Sequence, residues 1–296
     1  MKYGVHFGYF TQEWNTDIKP LIPRAANLGF DVLEVGPFPA MIQQDYKEMD
    51  EVNRIADENN IELTYCMGLS SDINLNSSDD ATREKGIRTL QTILQSIDYM
   101  GGNQLSGILY GEWPALFTEV KSMNEKKQTL ARVKASLREV LKTAEERDIM
   151  CSLEVVNRFE QWLLNSVDEG MAFIKELNHP NCTLLLDTFH MNIEEDDTID
   201  AIRRAGEADV IGHFHVVENN RKVPHAGSKK MDWTGILQAL KSTDYQGRIV
   251  FEPFVKPEGP IGKDIRIWRD LSHGADRIEL DRQLKDGLEF VKATYG

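Results

Sequence analysis

A chain of 296 residues exceeds the usual domain size but matches the length of one α/β barrel, and it can bury a large core. Its 34 Lys and Arg against 48 Asp and Glu give a net charge of −14, a field that repels phosphodiester backbones and argues against nucleic acid as a partner. No run approaches the roughly 18 apolar residues of a membrane span. Three cysteines without a CxxC spacing (Cys66, Cys151, Cys182) speak for a reducing compartment. The opening Met1-Lys2-Tyr3-Gly4-Val5-His6 lacks the apolar stretch of a signal peptide, so a cytoplasmic protein with no membrane partner is expected.

Taken in order, the chain alternates strand and helix. Val5 to Phe10 reads as a first strand, Thr11 to Trp14 as a loop, and Ile18 to Leu28 as a helix stopped by Gly29. Asp31 to Val35 is a second strand, Met49 to Asn59 a second helix, and Ile61 to Cys66 a third strand. Ser77-Ser78-Asp79 caps a long helix from Asp79 to Met100, and Gly107 to Tyr110 is the fourth strand. A helix at Asn124–Arg147, strand five at Met150–Val155, a helix at Val167–Leu177 and strand six at Cys182–Leu186 follow. A helix at Thr198–Ala205, strand seven at Val210–Phe214, a helix at Trp233–Thr243, strand eight at Arg248–Phe251 and a last helix at Ile278–Thr294 complete the series. Eight alternations without a linker-like change in composition predict a single (β/α)8 TIM barrel, an α/β fold, with residues 1–296 as one domain. Two connections, Tyr110–Asn124 and Phe254–Gly274, are too long to be plain links and are expected to act as lids or interface pieces. The acidic run Glu194-Glu195-Asp196-Asp197 is expected to open a helix rather than bind a metal.

Four strands end in chemistry. Leu184-Leu185-Leu186 stops at Asp187, and the run Val210-Ile211-Gly212-His213-Phe214-His215 brings an imidazole to the end of the next strand. In parallel α/β folds the carboxyl ends of strands are where ligands bind. Met150–Val155 carries Glu154 inside an apolar run, and Ile249-Val250-Phe251-Glu252-Pro253-Phe254 carries Glu252. An unpaired carboxylate in such a run costs several kcal/mol to bury, so a cation is its expected partner. Taken singly, Asp187 caps the next helix and His215 is a core histidine. Taken together, on strands closed into a barrel, Glu154, Asp187, His215 and Glu252 converge as a divalent metal site.

At this point the segments LEVVNRFE, LLDTFHMN, HFHVVENNRKVP and FEPF resemble, in that order, the D-tagatose and D-psicose (allulose) 3-epimerases, within the larger xylose-isomerase-like TIM-barrel group. The resemblance runs from MKYGVHFGYFTQEW to IWRDLSHGAD and is most specific between Glu154 and Asp270. It implies one divalent ion per subunit on Glu154, Asp187, His215 and Glu252, with both glutamates doubling as acid/base groups. An oxygen-rich set with one imidazole suits Mn²⁺, Co²⁺ or Mg²⁺ better than copper. The resemblance further implies that Glu160, His190 and Arg221 contact the sugar near its carbonyl end. It places Trp14, Cys66, Trp113 and Phe254 around the pocket, and it implies a homodimer or homotetramer. His213 is expected beside the site and not as a ligand. Two departures stand out. His6 occupies a position where many members carry a tyrosine, in the part of the pocket that selects the far end of the substrate. The segment His225–Asp232 is longer and differently composed than the usual glycine-rich turn.

Epimerising a carbon next to a carbonyl needs an acid/base group on each face of that carbon and something to hold charge on the oxygen between the two proton transfers. The expected activity is therefore that of a metal-dependent sugar 3-epimerase. It would interconvert C3 epimers of a free ketose (D-fructose/D-psicose, D-tagatose/D-sorbose or a ketopentose) through a cis-enediolate. The alternative on the same barrel is aldose–ketose isomerisation, which moves hydrogen between C1 and C2 and commonly uses two metals; four ligands supply one site. A sugar-binding barrel without catalysis is disfavoured by the intact Glu160, His190 and Arg221 set, and an endonuclease by the net charge.

Overall fold

The protein is described by a computed structural model covering residues 1–115 and 119–296. Its elements run β1 (Lys2–His6), α1 (Leu21–Asn27), β2 (Val32–Val35), α2 (Pro39–Gln43), α3 (Tyr46–Glu58), β3 (Glu62–Leu69), α4 (Asp80–Tyr99), β4 (Gln104–Glu112), α5 (Met123–Glu146) and β5 (Met150–Val155). They continue as α6 (Val167–Leu177), β6 (Cys182–Asp187), α7 (Thr188–Glu194), α8 (Thr198–Glu207), β7 (Ile211–Val216), α9 (Trp233–Ser242), β8 (Arg248–Phe251), α10 (Gly259–Asp264) and α11 (Arg277–Tyr295). The eight strands form one closed barrel in sequence order, and every pairing is parallel. The predicted (β/α)8 architecture is the observed one.

Closure follows from burial. Val5, Leu33, Leu105, Leu153, Leu186, Phe214 and Ile249 are buried on the outer face of the sheet, under the helices, while Leu185 and Val250 are buried on the inner face with Glu154 and His215. The helices of ten residues or more begin where side chains can take up their free amides. Asp45 accepts from Glu48, Asp79 from Thr82, Ser166 from Glu169 and Asp232 from Gly235, and Ser122 and Glu125 form a reciprocal capping box at α5. The acidic run divides its work: Asp197 caps α8, Glu195 accepts from Val167 N, and Glu194 binds Arg158 at the end of α7. Among the described residues no helix is long and apolar enough to cross a membrane.

Several boundaries differ from the sequence reading. The first strand is Lys2–His6 and not Val5–Phe10, because its partners β2 and β8 pair only that far. The aromatic residues Phe7 and Tyr9, strand-like by composition, lie in a tight 3-10 turn held by Gly8 N donating to His6 Nδ1 at 3.2 Å. The fourth strand starts at Gln104 instead of Gly107. Its polar residues are satisfied inside the barrel: Gln104 donates to Ser152 Oγ at 2.8 Å, Ser152 meets Thr183 at 2.9 Å, and Arg248 donates to Gln104 Oε1 at 3.2 Å. Helices α2, α7 and α10 span two turns or fewer, too few for an apolar period to declare itself. The connection Phe254–Gly274 thus contains α10, and its Ile261 and Ile267 pack with Phe254 against Trp14. In the connection Tyr110–Asn124 the strand runs on to Glu112, and residues 116–118 lie outside the described part.

Candidate metal and substrate site

Strand register brings the four expected ligands to one face. Glu154 on β5 stands opposite Leu185 on β6, and Asp187 lies two residues further, on the same side of the pleat. Asp187 stands opposite His215 on β7, His215 stands opposite Val250 on β8, and Glu252 is again two residues further. One ligand atom from each of Glu154, Asp187, His215 and Glu252 falls within 4.8 Å of the others, and all four residues are buried.

Their hydrogen bonds leave the centre of this group unsatisfied. Asp187 Oδ1 accepts from Phe189 N at 2.7 Å and His190 N at 3.1 Å, so the carboxylate does cap α7, while Oδ2 is buried without a partner. His215 donates from Nε2 to Glu34 at 2.7 Å, leaving Nδ1 buried without a partner, 3.8 Å from Asp187 Oδ2 and 3.6 Å from Glu252 Oε1. Two orphaned polar atoms facing each other among carboxylates fit a cation between them. The field agrees. Burial would lower the His215 pKa, yet Glu34 and Glu252 raise it well above the ordinary histidine value, so the protein's own charges call for positive charge there. The donor set of three carboxylates and one imidazole suits a hard divalent ion.

Above this floor lies a pocket. Glu154, Glu252, Glu160, His190, Arg221, His6, Trp14, Cys66, Trp113 and Phe254, all singled out in the sequence, share its lining, while Asp187 and His215 are fully buried beside it. The polar side is tightly interlocked. Glu160 accepts from Trp113 Nε1 at 3.0 Å, Asn157 Nδ2 at 2.9 Å and Arg221 Nη2 at 3.2 Å. Glu160 therefore faces Arg221, and the surface partner of Arg158 is Glu194. Arg221 also donates to Glu252 Oε2 at 3.0 Å and stacks 3.9 Å over the Phe189 ring. It does so from a left-handed backbone at φ 65°, a conformation that non-glycine residues adopt at some cost. His190 accepts from Asn157 N at 3.1 Å through Nδ1, which leaves Nε2–H directed toward Glu154 Oε1, 3.5 Å away.

The apolar side is built of rings. Trp14 meets Trp113 edge-on at 5.7 Å and Phe254 at 6.3 Å, and His6 meets Phe254 at 5.6 Å. Trp14 Nε1 donates to Asp264 of α10 at 2.9 Å, tying the long connection after β8 to this wall. Gly68 lets the wall close, since a Cβ there would sit 2.8 Å from Trp113.

The two acid/base candidates are split electrostatically. Burial and the charge of Glu252 raise the Glu154 carboxyl. Burial would also raise Glu252, but His215 and Arg221 hold it well below the usual carboxylate range.

The sequence reading missed Glu34 and Asn157. Glu34 is fully buried on β2 and accepts from both His213 and His215 at 2.7 Å; His213 lies beside the site as expected. The signal was present, because Val32-Leu33-Glu34-Val35 carries a glutamate inside an apolar run as the strands of Glu154 and Glu252 do. Asn157 had none: its role depends on a turn that sets its amide against His190 and Glu160. The divergent segment His225–Asp232 is pinned outside the cavity, with Ser228 and Trp233 both donating to Glu218.

The family described as xylose isomerase-like TIM barrel matches residues 22–271. The D-psicose 3-epimerase of Ruminiclostridium cellulolyticum is 40% identical over 292 residues, 99% of this chain and 97% of that protein. The D-psicose 3-epimerase of Agrobacterium fabrum is 38% identical over 296 residues and is covered, like this chain, to 100%. A crystal structure of D-psicose 3-epimerase in the presence of D-fructose matches with a TM-score of 0.94 at 37% identity, over 100% of both chains.

Proposed function

This chain belongs to the xylose isomerase-like TIM-barrel family, and we propose that within it the protein is a metal-dependent ketose 3-epimerase acting on a free ketose. The observation that carries the reading is the pair of buried glutamates at opposite strand ends, Glu154 and Glu252, sharing one cavity with their pKa values pushed apart. Inversion at a carbon needs one carboxylate ready to take a proton and one able to give it.

In one direction Glu252, held ionised by Arg221, takes the C3 proton, and Glu154 returns a proton to the opposite face. The reverse reaction exchanges these roles. Arg221 and the Nε2–H of His190 donate to substrate oxygens near the carbonyl, and Glu160 fixes Arg221 and accepts from a sugar hydroxyl. Glu154, Asp187, His215 and Glu252 hold the ion, and when bound it supplies a Lewis acid for the charge that develops on the cis-enediolate. Trp14, Trp113 and Phe254 cover C–H surface and keep water from the proton carriers.

The finer assignments belong to the same proposal. The ion is Mn²⁺, Co²⁺ or Mg²⁺. The substrate pair is D-fructose/D-psicose, D-tagatose/D-sorbose or a ketopentose, with His6 helping to choose among them. Residues 1–296 act as one domain in the cytoplasm, as a homodimer or homotetramer. Exposed Phe159 and Trp268 support the last point, and Arg266, two residues before Trp268 in sequence, donates to Phe159 O at 2.9 Å. The aldose–ketose alternative gains nothing from the second acidic group, Glu34, Cys66 and His215, because it shares His215 and both Glu34 oxygens are occupied by imidazoles.

The test is incubation of the Mn²⁺-loaded protein with a panel of ketohexoses and ketopentoses in heavy water. Deuterium at C3 together with the C3 epimer is the expected result. Exchange confined to C1 or C2 would replace the proposal with an isomerase.

A further inference from the structure

We propose that Glu34 is the positioning residue of the site: gripped by His213, its carboxylate fixes His215 with Nε2–H turned away and the Nδ1 lone pair turned toward Asp187 and Glu252. This rests on reading the four-residue group as a metal site.

Glu34 is fully buried and makes three contacts. Oε1 lies 2.7 Å from His215 Nε2, and Oε2 lies 2.7 Å from His213 Nε2 and 3.2 Å from Thr64 Oγ1. An ionised carboxylate only accepts, so each imidazole must present N–H to it. A neutral imidazole has a single N–H, and at His215 Glu34 claims it. What remains is Nδ1, the atom that stands unpartnered 3.6 Å from Glu252 and 3.8 Å from Asp187. The opposite tautomer would set a nitrogen lone pair against a carboxylate oxygen at 2.7 Å.

His213 accounts for the precision of the arrangement. Without His213, the plane of the carboxylate would be held against the His215 bond only by the longer 3.2 Å bond from Thr64 to Oε2. A second imidazole on the other oxygen, with the two rings 5.0 Å apart at 75°, fixes the plane of the group. His213 Nδ1 is buried without a partner, so among the described residues the bond to Glu34 is the only hydrogen bond of that ring. Register supplies the rest. Glu34 stands opposite His6 on β1 and Thr64 on β3, and it reaches His213 and His215 across the barrel interior rather than along a neighbouring strand.

The test uses Glu34→Gln and His213→Gln in the full chain, with Mn²⁺ as probe in calorimetric titration of metal-free protein. The tautomer of His215 is read from ¹⁵N-histidine spectra of the Mg²⁺-loaded protein. Glu34→Gln, whose amide nitrogen must face one of the two rings, is expected to bind Mn²⁺ about 10–100-fold more weakly, the usual loss when a partner of a ligating histidine is replaced. Its His215 signals should depart from the single Nε2–H form, and His213→Gln should move both readouts less, in the same direction. Wild-type protein that takes up no Mn²⁺ would overturn the metal reading itself. Wild-type protein that binds it, beside a Glu34→Gln protein with equal affinity and an unchanged tautomer, would overturn the role of Glu34 alone. If Glu34→Gln lowers only the melting temperature, the residue is structural and the proposal fails. Where Glu34→Gln does not fold, unchanged affinity and tautomer in His213→Gln overturn it.

Discussion

Replacing Arg221 with methionine keeps the length of the side chain and removes its charge and its five donors. The guanidinium is 4% exposed and bridges two carboxylates, Glu252 at 3.0 Å and Glu160 at 3.2 Å. Breaking a buried pair from one side costs about 3–5 kcal/mol, because the abandoned charge stays buried. Glu160 keeps Trp113 and Asn157, and Glu252 keeps its place among the residues that would hold the ion, so the lower end applies. At roughly 2–4 °C per kcal/mol for a chain of this size, a loss of about 3 kcal/mol lowers Tm by about 6–12 °C. Activity should fall further than stability accounts for. Removing one preorganised donor from an oxyanion typically costs about 10²–10³ in turnover, and Arg221 is assigned that duty together with His190. The assay is calorimetry of the Mn²⁺-loaded variant, followed by kcat and KM at a temperature where it is fully folded. Arg221→Lys separates the contributions: it restores a charge but not the fork that reaches both carboxylates, and should lie between the other two. A methionine variant that melts within 2 °C of wild type, using the same rough scale, and keeps its kcat would refute this account of the site.

The remaining predictions follow from the same geometry. With Mn²⁺ at about 100 times its Kd, wild-type protein should gain about 2.7 kcal/mol of stability, and Asp187→Asn should show little of that gain when both are melted with and without metal. Metal-loaded Glu154→Gln and Glu252→Gln should lose about 10²–10⁴-fold in turnover, and whichever lacks the returning acid should still wash deuterium into unconverted substrate. Far from the cavity, burial would raise Glu62, but hydrogen bonds from Lys2 and Arg248 hold its pKa below the ordinary value. A depressed carboxylate stabilises the fold above its unfolded value near 4.3 and loses that contribution as pH falls through the folded pKa, so Glu62→Gln should flatten the acid side of a Tm–pH curve. Light scattering should give a multiple of the 33.8 kDa chain at micromolar concentration; a monomer contradicts the proposed assembly.

How far the sequence could be read depended on whether a residue's role was local. Helices of ten residues or more announced themselves by period, helped at Asp79 by a cap, and so the order of the barrel was legible. Short helices α2, α7 and α10 did not, and aromatic Phe7 and Tyr9 imitated a strand that the sheet ends at His6. In the site, a carboxylate in an apolar run proved the informative signal, since burial without a partner is too costly to be casual. It marked Glu154 and Glu252 and, applied with equal strictness, marks Glu34. For Asp187 the two readings set against each other are compatible: Oδ1 caps α7, and Oδ2 is left facing the centre where the proposed ion would lie. Partners across the barrel, such as Glu34 with His213 or Glu160 with Arg221, lie 179 and 61 residues apart, and nothing local encodes them.

The convergence of the four proposed ligands turns on one irregularity. Between β6 and β7 the register shifts: Leu184 pairs with Ile211 and Leu185 with His213, so Gly212 is passed over. In an unbroken register Asp187 would stand beside Phe214, and His215 would be carried to the next step of the pleat, on the opposite face from the aspartate. The shift places Asp187 opposite His215 instead, and it also turns His213 inward, two residues before His215 on the same face, where both reach Glu34. Only glycine fits at the skipped position. A Cβ on Gly212 would lie 1.9 Å from Thr183 Oγ1 and 2.6 Å from Ser152 Oγ, inside the polar network that fills the barrel beneath the site. A glycine within an apolar strand run is the usual mark of such a bulge, and here it sits three residues before the imidazole whose direction it sets. The metal-site reading of Glu154, Asp187, His215 and Glu252 therefore depends as much on the missing side chain at Gly212 as on the side chains that face the cavity.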